Sequence, residues 1–294
     1  MMEIGGKMTE RQDNLCKEMA LGAYYKKTRE ARGYSIAEIE TDYLHSSQLS
    51  RFEKGKSMFS AECLLLAIQR LNMTPTEFFA LMPNYEPSRL HVLVQELSNH
   101  VIENDITNMK QMLKPKAKKT IHRLFNVILK AAIVASSEEA LLTNQDRQLV
   151  YDYLTSIQQW TLFEMDVFSN CLDVLDIKTA YYLGLEMLES DELSKLLYAH
   201  GYIVKRTLAN LYVHLIRHDY YTFANTIKSE LSKLFNTWDM EGKIIIYMFD
   251  TFASYKRRKS AKLFETIQQD IQSLKRFGAT ALAESIEMLM EKER

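Results

Sequence analysis

Residues 34–55 read YSIAEIETDYLHSSQLSRFEKG. Ser35 and Glu38 form the S-x-x-E of a capping box, in which a hydroxyl and a carboxylate each satisfy a backbone N–H at a helix start. A short helix from Ile36 to about Thr41 follows, with Ile36 and Ile39 facing inward. Asp42-Tyr43-Leu44-His45 is the turn, and Leu44 is its buried anchor. Ser46 is expected to cap a second helix, Ser47 to Glu53, whose Leu49 and Phe52 pack inward while Gln48 and Arg51 fall on a different face. Gly55 suits a left-handed helix end. Two short helices joined by a tight turn describe a helix-turn-helix, in which the second helix meets base edges in the major groove. Gln can bond adenine and Arg guanine bidentately, each pairing being worth about 1–3 kcal/mol of discrimination. Gln48 and Arg51 are therefore the candidate base readers, and Ser47 touches base or phosphate or serves only in the cap.

The flanking residues complete a five-helix unit. Leu15 to Arg32 is a long first helix ended by Gly33, and Ala61 to Leu71 is the fourth. Thr74-Pro75-Thr76-Glu77 opens the fifth, with proline at the first helical position, and Phe78, Phe79 and Leu81 are expected to close the core. Lys26, Lys27, Arg29, Lys54 and Lys56 are candidate phosphate contacts or ordinary solvated charges, since such contacts are numerous and interchangeable.

Residues 22–79 resemble the Cro/C1-type helix-turn-helix, and more narrowly the Rgg (Rgg/GadR/MutR) family of Gram-positive regulators. The resemblance is carried by Ser47-Gln48-Leu49-Ser50-Arg51-Phe52-Glu53-x-Gly55-Lys56-Ser57, by Leu71-Asn72 and Glu77-Phe78, by the basic Lys26, Lys27 and Arg29, and more loosely by Trp160-x-x-Phe163-Glu164-x-x-x-Phe168-x-Asn170. It implies a C-terminal helical repeat domain that dimerises and senses a re-imported peptide pheromone. Some members carry a cysteine near the start of the fourth helix that links two DNA-binding domains. Here Ala61 holds that place and Cys63 follows two residues later, so a dimer disulfide is not assumed and a small buried thiol is the simpler reading.

Composition sets the outer limits. The chain has 294 residues, 47% of them apolar, which is enough for two domains. All four prolines lie at or before Pro115, and the residues beyond it contain only four glycines in helical periodicity, which argues for an all-α fold. Three cysteines without paired spacing suggest a reducing compartment. No apolar run approaches the roughly 18 residues of a membrane span. The start, MMEIGGKMTERQDN, has no signal-peptide apolar region, so a cytoplasmic protein is expected. Net charge is −1, and residues 22–57 hold seven Lys/Arg against five Asp/Glu. The case for DNA thus rests on motif geometry and on one charged face, not on bulk charge.

In chain order, residues 1–14 are expected as a mobile tail, 15–81 as the DNA-binding domain, 82–88 as a linker with two prolines, and 89–294 as the repeat domain. Ser88 is placed to cap a helix from Arg89 to about Leu113, with Leu90, Leu93, Val94, Leu97 and Val101 on one stripe. Further helices follow, among them one capped by Thr143-x-x-Asp146, one from Thr161 to Leu175 and one carrying Val204, Leu208, Leu211 and Leu215. Pairs recur at roughly 35–45 residues, the spacing of helix-hairpin solenoids, without a strict consensus. The expected fold is therefore a five-helix Cro/C1-type unit followed by a degenerate TPR-like α-solenoid.

Asn170, Arg206 and Asn210 are candidate partners for the backbone of an extended peptide, or else inter-helix hydrogen bonders. Ile203, Thr207 and His214 share the Arg206/Asn210 face, and Trp160 and Phe163 line a groove or belong to the core. His214 and His218 stand i, i+4 and could seat a metal, but the intervening Leu-Ile-Arg lacks a glutamate and no third ligand is evident. No metal or cofactor is expected. GxSxG, Walker A and GxGxxG motifs are missing, so an enzyme reading has no residues to stand on.

Two function classes remain. One is a homodimeric, sequence-specific transcription regulator that binds duplex DNA at a pseudo-palindromic promoter site and is controlled by a short signalling peptide. The other is a protein-interaction adaptor with an auxiliary DNA-binding domain.

Overall fold

The computed structural model describes residues 21–82, 85, 89–103, 105–137 and 139–292. The chain divides into two compact units, Met1–Arg89 and Leu90–Arg294. Among the described residues it is all helical, apart from a single β-bridge between Thr41 and Leu44. The expected tail over 1–14, the first turns of the first helix, most of the expected linker and the expected Ser88 cap lie outside the described residues.

The first unit has five described helices, α1 (Leu21–Ala31), α2 (Ile36–Ile39), α3 (Ser46–Glu53), α4 (Ala61–Arg70) and α5 (Pro75–Ala80). Tyr25, Ile39, Leu44, Leu49, Phe52, Ala67, Ile68, Leu71 and Phe78 form their common core. The Ser35/Glu38 and Thr74/Glu77 capping boxes are both closed. Two details differ from expectation. Helix α2 stops at Ile39, because Thr41 turns back to exchange hydrogen bonds with Leu44. Leu81 is exposed and takes no part in the core, which Phe78 and Phe79 close.

The second unit runs through α6 (Arg89–Ile102), α7 (Ile106–Met112), α8 (Thr120–Ser136), α9 (Asn144–Thr155), α10 (Leu162–Asn170), α11 (Ile177–Glu189), α12 (Tyr198–Arg217), α13 (Tyr221–Leu234), α14 (Met240–Arg258), α15 (Ala261–Arg276) and α16 (Thr280–Lys292). The single helix expected from Arg89 to Leu113 is in fact two. Asp105 caps α7 by accepting from the Asn108 N–H, so the break comes before Lys114-Pro115. The helix expected to reach Leu175 ends at Asn170, and a turn follows in which Val174 N–H donates to the Cys171 carbonyl.

Packing follows the helix-hairpin pattern. Neighbours in sequence pair, as α8 with α9 and α12 with α13, while alternate helices α8, α10, α12 and α14 also touch in series. Close approach needs small residues at the crossings. A Cβ on Gly184 of α11 would stand 2.3 Å from a Leu211 methyl of α12. Trp160 is fully buried against Phe168, so it belongs to the core and not to a groove. Phe163 packs against the same core.

Candidate nucleic-acid interface and ligand cleft

Helix α3 is held from both ends. At its start the N-cap is His45, not Ser46: Ser46 is already helical, and its N–H is taken by Glu40 Oε1 at 3.0 Å. Gln48 Oε1 accepts from the His45 N–H at 3.2 Å. At its end Gly55, with φ +68°, lets its own N–H and that of Lys56 bond back to the Phe52 and Arg51 carbonyls, the double closure of a Schellman motif. Below, Leu49 and Phe52 are buried, and Phe52 stacks on Phe59 at 4.1 Å.

This scaffold leaves Ser47, Gln48 and Arg51 exposed on one short helix, with Lys26, Lys27, Lys54 and Lys56 also exposed in the same unit. Lys26 has a loose i, i+4 contact to Glu30 at 3.8 Å, which does not tie it down. Arg29 is different, and the expectation that it meets phosphate is corrected. Its side chain is only 7% exposed, its Nε and Nη2 donate to the two Glu53 oxygens at 2.6 and 2.9 Å, and its Nη1 donates to the Tyr34 carbonyl. All three guanidinium nitrogens are thus engaged inside the unit. Arg32 is likewise spent on the Leu71 carbonyl at 2.9 Å. Tyr43, 82% exposed in the turn before α3, is an outward aromatic that the motif alone does not single out. Its position next to the buried anchor Leu44 is the available signal.

In the second unit the α8, α10, α12 row carries the other candidates. Asn170 donates to the Asp166 carbonyl, Arg206 pairs with the Asp166 carboxylate at 3.3 Å, and Asn210 donates to Ser169 Oγ at 2.8 Å. The three therefore come together on adjoining turns of α10 and α12. Their polar ends are engaged with one another's neighbours while remaining at least partly open to solvent. Thr207 and His214, expected on the same face, are instead buried.

Two clefts meet at Asn210. One, of about 340 Å³, is walled by Ile128, Ala131 and Ala132 of α8, by Ser169 and Asn170 of α10, and by Asn210, Val213 and His214 of α12. The other, of about 270 Å³, lies between α12 and the α13–α14 connection and is lined by Tyr198, Tyr202, Arg206, Phe235 and Trp238. Trp238 and Tyr198 are 87% and 82% exposed, aromatic area of the kind that accompanies binding surfaces. Sequence periodicity misses both, because neither lies on an apolar stripe. Lys205 fixes the second cleft by pairing with Asp239 at 2.7 and 2.9 Å.

The structure also supplies what the sequence lacks beside His214 and His218. Asp173, on the turn after α10, brings Oδ1 to 3.1 Å from His214 Nδ1 and 3.7 Å from His218 Nε2. The His214 imidazole beside it, outweighing the opposing effect of burial, holds the Asp173 carboxyl down to about 2.

The chain thus joins a helix-turn-helix unit to a helix-hairpin repeat unit with open clefts. Residues 107–288 match the model of the C-terminal domain of the HTH-type transcriptional regulator Rgg, and the chain belongs to that family of transcriptional regulators. The fold is similar to that of the SHP pheromone receptor Rgg2 of Streptococcus dysgalactiae, with a TM-score of 0.77 and 21% identity over 93% of this chain and 100% of that one. It is similar as well to PrgX in its complex with cCF10, with a TM-score of 0.66 and 13% identity over 93% and 92%. A bacterial peptide pheromone–receptor complex matches with a TM-score of 0.66 and 14% identity over 93% and 98%. No described helix is long and apolar enough to cross a membrane.

Proposed function

We propose that this regulator reads promoter DNA with α3 and is switched by a short peptide bound in the cleft of its repeat unit. Ser47, Gln48 and Arg51 contact base edges, while Lys26, Lys27, Lys54 and Lys56 hold phosphates. The chain acts as a cytoplasmic homodimer on a pseudo-palindromic site. The observation that carries the reading is the exposed Ser47/Gln48/Arg51 row on a helix clamped at both ends, in a chain of the Rgg family. A reading helix must be rigid, since a donor displaced by about 1 Å no longer meets its base edge.

The peptide part draws on the cleft and on the likeness to proteins described as pheromone receptors. Asn170, Arg206 and Asn210 offer two carboxamides and a guanidinium, the groups that pair with the N–H and C=O of an extended backbone. The exposed Tyr198 and Trp238 offer apolar area for peptide side chains. A peptide changes transcription only by its difference in affinity for two states of the dimer.

The test is expression profiling with the wild type and a Gln48→Ala/Arg51→Ala chain, combined with titration of short peptides encoded beside the gene. Loss of regulation in the double variant, and weaker peptide binding in Asn210→Ala and Arg206→Ala, support the proposal. Unchanged expression in the double variant would favour the adaptor reading.

A further inference from the structure

Outside the DNA-reading row and the peptide candidates, one of two groups of metal-ligating side chains among the described residues is Asp173, His214 and His218. One ligand atom from each lies within 4.8 Å of the others. His214 and His218 are one helical turn apart at the end of α12, with ring centroids 4.7 Å apart, so their imidazoles lean over the same spot. Asp173 approaches from a pinned turn. Its neighbour Val174 is held by the Arg147 guanidinium, which donates to the Val174 carbonyl at 2.9 Å, and Asp176 caps α11 two residues further on.

The distances also fit a shared ion. Around a tetrahedral Zn²⁺, with ligand atoms about 2.0–2.2 Å from the metal, neighbouring ligand atoms stand about 3.4 Å apart. The Asp173 Oδ1 separations of 3.1 and 3.7 Å bracket that value. His214 is 4% exposed; its Nδ1 faces the Asp173 carboxylate at 3.1 Å, and its Nε2 makes no hydrogen bond. A neutral imidazole offers the lone pair of one ring nitrogen to a metal, and Nδ1 is the nitrogen that faces the carboxylate. Arg217 approaches the other carboxylate oxygen, Oδ2, at 3.9 Å and leaves Oδ1 to a cation.

We infer that Asp173 Oδ1, His214 Nδ1 and His218 Nε2 form a binding site for one divalent transition-metal ion of the Zn²⁺ type. Two imidazoles and one carboxylate are a ligand set such ions accept, and three protein ligands leave a fourth position for water or a ligand donor atom. The ion ties the end of α12 to the turn after α10, beside the first cleft, which Asp173 and His214 also line. The inference does not depend on the peptide reading. A second His/acid group, His100, Glu103 and Asp105, is a weaker site, because Asp105 is already spent as the α7 cap.

The experiment is equilibrium dialysis of the purified, chelator-stripped full-length chain against Zn²⁺, with bound metal read by atomic emission and affinity by competition with a chromogenic chelator. Co²⁺ is the spectroscopic probe, through the intense visible bands of a four-coordinate site. The wild type is expected to bind one ion per chain. His218→Ala, at a residue that is 47% exposed on its side chain, is expected to fold normally and to bind at least about tenfold more weakly. Asp173→Asn is the second variant, and far-UV circular dichroism checks both. A wild type that takes up no Zn²⁺ and shows no four-coordinate Co²⁺ spectrum would overturn the inference. So would uptake unchanged in the two variants.

Discussion

Arg29 and Glu53 close a two-point ion pair inside the DNA-reading unit, with N–O distances of 2.6 and 2.9 Å and both side chains almost out of solvent. The pair joins α1 to the last residue of the reading helix, and the Tyr34 carbonyl takes a third guanidinium donor. Removing one partner leaves a buried charge alone, at a cost of about 3–5 kcal/mol. Glu53→Ala is therefore expected to loosen the whole reader. Hydrogen exchange over residues 21–82 should accelerate strongly while the repeat unit keeps its protection. Unchanged exchange in the reader would show that the pair contributes nothing there.

At Gly22, α1 runs hard against the backbone of α3. A Cβ there would lie 1.8 Å from the Phe52 carbonyl oxygen and 3.2 Å from Glu53 Cα, and these are backbone atoms that cannot simply swing aside. Gly22→Ala should push α3 outward, cost roughly 1–3 kcal/mol or more, and lower operator affinity even though residue 22 touches no base. Thermal unfolding and DNA titration of the same preparation would show both effects. A variant as stable and as tight as the wild type would mean that the two helices separate freely.

Glu164 gives a pH dependence with a definite sign. Burial raises its pKa, but hydrogen bonds from Thr161, Tyr153 and the Thr161 N–H prevail and hold the carboxyl below its usual range. Its stabilising contribution is therefore present above the unfolded carboxylate pKa of about 4.3 and is lost as pH falls toward the lower folded value. Glu164→Gln should flatten this part of the acid limb when unfolding is followed from about pH 6 down to about 3. An acid limb of undiminished slope would assign that loss to other carboxylates.

The cysteines should differ in reactivity. Burial pushes the Cys171 thiol up to about 12, whereas Cys63 is half-buried near the start of α4. Alkylation at neutral pH, mapped by mass spectrometry, is expected to label Cys63 well before Cys171. Equal rates would show that the core around Cys171 opens readily.

Much of the first unit is legible in the sequence because its determinants are local. The Ser35/Glu38 and Thr74/Glu77 boxes, the inward Leu49 and Phe52, and Gly55 are all specified within a few residues. Arg29 misleads for the opposite reason. Its partner lies 24 residues along the chain, and a basic residue on a basic helix looks free until Glu53 is seen beside it. The α3 cap moves from Ser46 to His45 because the Glu40 carboxylate reaches across the turn. The apolar stripe of α6 hides the break before α7, since periodicity continues across it and only Asp105 hints at a new start. Within the repeat unit, Asn170, Arg206 and Asn210 are legible as a group, because i, i+4 spacing and adjacent helices bring them together. Asp173 is not, because only the fold carries its turn to the end of α12.

The proposed function turns on α3 reading DNA sequence through Gln48 and Arg51. Its most direct test is a fluorescence-anisotropy titration of the purified full-length chain with the DNA upstream of its own gene and its neighbours, beside a scrambled control, at several salt concentrations. Tight, salt-dependent binding to one fragment, reduced to the level of the scrambled control in Gln48→Ala/Arg51→Ala, is the expected result. Equal and weak binding to every fragment, unchanged in the double variant, would contradict it.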